Sequence, residues 1–138
     1  MDVMLAKAQA YVGTPYLPGE FDCADLAAKV QWELFGKVVP LPPNRKRPAG
    51  ALGQAREVKA LQGQLADPID APETGCAVLL QEPTDHGLMW HIGTVFMDRR
   101  QVWVLHNSMR LGGACLHRME DLLRWGMRLE SYYRCRTA

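Results

Sequence analysis

The apolar residues of this chain change their spacing partway along, and that change limits the folds open to it more than any other feature. In the first part the spacing is helical. Met4, Ala8 and Tyr11 recur along Asp2 to Val12 and predict a short helix that Gly13 and Pro15 stop. Gly13 to Phe21 holds two prolines and two glycines and reads as a loop. Asp22 then stands where a helix cap belongs, before Cys23, Leu26, Ala27, Val30 and Leu34 on one helical face. A second helix is predicted over Cys23 to Phe35, ended by Gly36. Pro40, Pro42, Pro43 and Pro48 around Asn44-Arg45-Lys46-Arg47 make a connector that neither helix nor central strand tolerates. A weaker third helix is predicted over Ala51 to Gln62.

Beyond it the runs are short and rich in β-formers. Strands are predicted at Cys76 to Gln81, His91 to Met97, Val102 to Asn107, Ala114 to Arg118 and Met127 to Cys135. Asp98-Arg99-Arg100-Gln101 reads as a hairpin turn, and Glu120 to Trp125 as one or two helical turns. Helices first and strands afterwards give an α+β domain with an antiparallel sheet, against a parallel βαβ fold. With 138 residues, 48% of them hydrophobic, the chain builds one domain, 1–138, with a real core.

The formal charge of +1 supplies no field to hold nucleic acid. No apolar run reaches the ~18 residues of a membrane span, and no signal peptide is visible, so cytoplasmic synthesis of a soluble protein is expected. Cys23, Cys76, Cys115 and Cys135 form no C-x-x-C pair, and disulfides are not needed at this size. A zinc site drawing on His86, His91, His106 and a cysteine would lack any ligand pair at metal-binding spacing, so neither metal nor cofactor is expected.

Cys23 starts a helix, where unpaired N–H groups and the helix dipole favour a thiolate. A nucleophilic cysteine needs an imidazole base and a group to orient it, and His91 and His106 lie in neighbouring predicted strands. The plain alternative is that Cys23 opens the apolar stripe and the histidines are structural or superficial, as His86 and His117 are taken to be.

The wording of the segments goes further: Gly13-Thr14-Pro15-Tyr16, Phe21-Asp22-Cys23-Ala24-Asp25-Leu26, His91-Ile92-Gly93 and Val104-Leu105-His106-Asn107-Ser108, in that order. From about Val12 to Asn107, with Leu41-Pro42 and the Gly75 to Leu80 run between, this resembles the NlpC/P60 family of cysteine peptidases. The resemblance implies a papain-like α+β fold, with the helices packed on an antiparallel sheet. It implies hydrolysis of peptidoglycan stem peptides at the γ-D-glutamyl to diamino-acid bond, Cys23 as nucleophile, His91 as base and His106 as orienting residue. Tyr16 would stand beside the thiol, and Tyr16 and Asp22 would serve substrate or oxyanion, together with the Cys23 amide. Bare single domains of this kind are often encoded with phage tail genes, which implies association with tail proteins in a virion. Ala24-Asp25 replaces the usual Ser-Gly, Pro18-Gly19 a double glycine, and Cys76 an acidic residue, all near the substrate. An idle tail component and a thiol amidase or acyltransferase on the same scaffold are the alternatives.

Turn geometry chooses between His106 and its neighbour Asn107 as the orienting residue. With Asp98 opposite Gln101, Gly93 falls opposite His106 and His91 opposite Ser108. His106 is then a diagonal neighbour of His91 on one face, while Asn107 points to the other face with Ile92.

Overall fold

The computed structural model describes residues 2–39, 66–85 and 87–136. The proline-rich connector with its basic run, the Leu41-Pro42 stretch, the predicted helix over Ala51 to Gln62, and His86 lie outside the described residues. In chain order the elements are α1 (Val3–Gln9), α2 (Cys23–Phe35), β1 (Ala66–Ile69), β2 (Ala77–Thr84), β3 (Gly87–Asp98), β4 (Gln101–Ser108), β5 (Gly113–Arg118), α3 (Met119–Arg124) and β6 (Arg128–Cys135). The strands form one sheet in the order β1-β6-β2-β3-β4-β5. Every neighbouring pair is antiparallel, so this is an α+β architecture. Among the described residues no helix is long and apolar enough to cross a membrane.

α1 is shorter than its apolar pattern. Asp2 leaves the helix to cap it, its carboxylate accepting from the Met4 and Leu5 amides. Tyr11 and Val12 donate to Ala8 and Gln9, three residues back, so the last turn tightens out of α geometry. α2 occupies the residues its pattern predicts, because both ends are marked chemically. Asp22 and Asp25 form a reciprocal capping box at the start, and Gly36 closes the helix at φ 66°, in the left-handed region.

The two sheet faces carry separate cores. On one, Leu5 and Ala8 of α1 and Leu26 and Val30 of α2 meet Phe96, Leu105 and Ala114. On the other, Met119 and Leu122 of α3 cover Val78, Leu80, Val95 and Val104. Each fully buried aliphatic side chain contributes roughly 1.5–3 kcal/mol. This alternation assigns the odd residues of β3 and the even residues of β4 to the α3 face.

β1 has no counterpart among the predicted strands. Its Asp67-Pro68 pair argues against a strand by propensity, yet β1 is the sheet's edge, where a missing N–H facing outward costs nothing. β2 and β3 are also longer than predicted, since they form a hairpin that pairs as far as Thr84 with Gly87. His91 therefore lies inside β3, where the sequence places it at the strand's opening.

The β3–β4 turn follows the sequence reading. Asp98 pairs with Gln101, and Arg99 and Arg100 take φ values of 50° and 67°. Positive φ at both central residues is the turn whose twist suits a two-residue hairpin. From there the ladder runs to Gly93 opposite His106 and stops. The predicted pairing of His91 with Ser108 does not form: β3 continues with β2 to Gly87, while β4 continues with β5, where Ser108 pairs with Gly113. The sheet splits between β3 and β4 beyond that last pair.

Candidate active site

A small cavity of about 30 Å³ lies at the split, lined by Tyr16, Cys23, Glu82, Thr84, Met89, Trp90, His91, Asn107 and Met109. It joins residues from both sheet faces. Cys23 packs with Ala24 against Leu79, Trp90 and Ile92 on the α2 side, whereas His91 alternates onto the α3 side with Gly93 and Val95. A closed ladder would keep the two apart.

Cys23 is the first residue of α2 and is 5% exposed. The Asp22 carboxylate accepts from the Ala24 and Asp25 amides at 3.0 and 3.2 Å, and the Asp25 carboxylate accepts from the Asp22 amide at 2.9 Å. The Asp22 carboxylate caps α2, and Asp22 is not among the residues that line the cavity. Tyr16 does line it. The Tyr16 amide donates to the Gly112 carbonyl, and Gly13 and Thr14 exchange backbone bonds with Ala114, so the loop is stitched to the start of β5.

His91 and His106 meet as the register predicts. His91 Nε2 lies 2.8 Å from His106 Nδ1, with the rings edge to face. Both are buried, at 5% and 1% exposure. Burial pushes the His91 pKa down against the pull of the Glu82 carboxylate. Burial, with the neighbouring His91 and His117 rings, pushes His106 down well below the usual imidazole range. Both rings are therefore neutral at pH 7, the form a general base needs. Gly93 permits the approach of the strands, because a Cβ there would stand 2.5 Å from Val104 Cγ1 and 3.1 Å from the Leu105 carbonyl.

Three further residues belong to the site: Glu82, which has no signal in the sequence, His117, and Asn107, which the register turns to the other face. Glu82 Oε2 lies 3.4 Å from His91 Nδ1, two residues along β2 from Leu80, the partner of His91, as cross-strand diagonals place it. His117 Nδ1 lies 2.9 Å from His106 Nε2, so this histidine is neither isolated nor superficial. Asn107 turns away from His106, as the register predicts, and its Nδ2 donates to the Phe21 and Asp22 carbonyls at 3.2 and 3.3 Å. It therefore holds the backbone that leads into Cys23.

The four cysteines are free thiols. Burial raises the pKa of Cys76 to about 11 and also raises Cys115 and Cys135, which keeps all three protonated at neutral pH. Among the described residues no group of three or more His, Cys, Asp or Glu side chains is placed to hold a metal ion. No family model, curated protein or solved structure matches the chain.

Proposed function

We propose that the chain is a cysteine peptidase of the NlpC/P60 kind on a papain-like scaffold. Its substrate is the peptidoglycan stem peptide, cut between γ-D-glutamate and the diamino acid. The observation that carries the reading is the position of His91, which lines one cavity with Cys23 while its Nε2 is engaged by His106. The nitrogen left for the thiol proton is then Nδ1, which the Glu82 carboxylate faces at 3.4 Å. Cys23 gives its proton to that atom and attacks the peptide carbonyl, with Glu82 favouring the imidazolium that results. The Cys23 amide at the helix start and the Tyr16 hydroxyl meet the oxyanion. His91 returns the proton to the leaving amine, and water completes the hydrolysis. Association with phage tail proteins is part of the same proposal and rests on the resemblance alone.

One second reading has an observation behind it: Cys23 is 5% exposed beside a cavity of about 30 Å³, as in an idle tail component that keeps the fold. Digestion of stem peptides with the wild type and with Cys23→Ala, followed by mass analysis, separates the readings. Cleavage by the wild type alone is the expected result, and the product masses tell hydrolysis from amidase or acyl-transfer chemistry. No cleavage, with Cys23 inert to iodoacetamide, overturns the enzyme reading and leaves the structural one.

A further inference from the structure

His91, His106 and His117 form a continuous chain in which each link joins Nε2 of one ring to Nδ1 of the next, at 2.8 and 2.9 Å. One proton occupies each link. A neutral chain so connected has two hydrogen-bonded arrangements: every ring protonated on Nε2, or every ring protonated on Nδ1. Only the first bares His91 Nδ1 as a base. Two ends therefore compete: the Glu82 carboxylate favours a proton on His91 Nδ1, and an acceptor at the far end favours the arrangement in which that atom can take the thiol proton.

We propose that His117 is a positioning residue for the base: by accepting from His106 Nε2–H it holds His106 and His91 in the tautomer that leaves His91 Nδ1 unprotonated, against the pull of the Glu82 carboxylate 3.4 Å from that atom. The inference rests on reading Cys23 and His91 as nucleophile and base. The same chain spreads the charge that catalysis creates. A proton leaving Cys23 Sγ arrives on His91 Nδ1. The His91 Nε2 proton then shifts to His106 Nδ1, and the His106 Nε2 proton to His117 Nδ1, so the positive charge reaches His117 with no heavy atom moving far. His117 is only partly buried, where a charge costs less than at His106. A carboxylate attends each end of the chain. Glu82 attends His91, and Asp121 of α3, itself bonded to Arg118 and Arg124, favours a charge on His117. Trp125 packs edge to face on the His117 ring, at 4.9 Å between centroids, and fixes its plane.

The test compares wild type, His117→Phe and His117→Gln by nitrogen NMR of the histidine rings and by the rate of Cys23 alkylation with iodoacetamide. In the wild type His106 and His91 are expected to carry their protons on Nε2. Phe removes the acceptor, so the two rings should become tautomer mixtures and alkylation should slow by about ten- to a hundredfold at neutral pH. Gln restores an acceptor oxygen and should recover most of both signals, which a merely structural role would not. His106 protonated on Nδ1 in the wild type overturns the proposal with no variant needed, as do unchanged ring shifts and alkylation in His117→Phe. If stem peptides are not cut while the ring shifts follow this pattern, the tautomer inference stands and the peptidase reading falls.

Discussion

The β3–β4 hairpin has two ends built on different principles. At the turn, four consecutive residues decide the geometry, and the pairs that follow bury Val95, Phe96, Val104 and Leu105 by simple alternation. At the open end the strands part after Gly93 and His106, and the residues buried there are polar: Glu82, His91, His106 and Asn107. Each of these is tied to a group distant in sequence. A buried polar group without a partner costs on the order of 1–3 kcal/mol, so such a site persists only where long-range contacts satisfy it. The closed end stabilises the fold by apolar burial, and the open end gives up that burial for a cluster of hydrogen-bonded polar groups.

The largest effects should fall at the open end. On the peptidase reading proposed above, His106→Ala removes the residue that orients His91, and stem-peptide turnover should drop by about a hundredfold or more with circular dichroism unchanged. Asn107→Ala removes two side-chain hydrogen bonds to the Phe21 and Asp22 carbonyls, which keep those from the Leu17 and Leu26 amides, and should cost about 1–3 kcal/mol in urea unfolding, leaving the pH profile of turnover in place. A pH profile that moves with Asn107→Ala and holds with His106→Ala would make Asn107 the orienting residue and reverse the register argument. Gly93→Ala, at the boundary between the two ends, drives a Cβ into Val104 and toward the Leu105 carbonyl. A loss of about 1–3 kcal/mol is expected, and undiminished stability would show that the close strand approach is dispensable. The smallest effect belongs to the turn. Arg99→Asn with Arg100→Gly relieves two positive-φ residues and should gain about 0.5–1 kcal/mol, read as a raised Tm. A lowered Tm would mean that the arginine side chains support the turn in some way beyond backbone geometry.

Much of the scaffold was legible wherever a local rule decided it. α2 carries its cap, its apolar stripe and its terminal glycine within the chain segment itself, and it folds over the residues so marked. The turn and the diagonal meeting of His91 with His106 follow from counting residues between two strands. β1 was not legible, because an edge position excuses a proline that propensity forbids.

The sequence by itself determined the α+β order of elements, the helix start that presents Cys23, and the face that His91 and His106 share. Those are consequences of period, capping and turn length, all of which act over a few residues. Tertiary structure alone decided where the sheet splits, and so which residues from its two faces reach one cavity. It also brought Glu82 and His117 to the two ends of the imidazole pair and set Asn107 against the entry to α2. No local spacing encodes these meetings, because each depends on how far neighbouring ladders run before their strands find other partners.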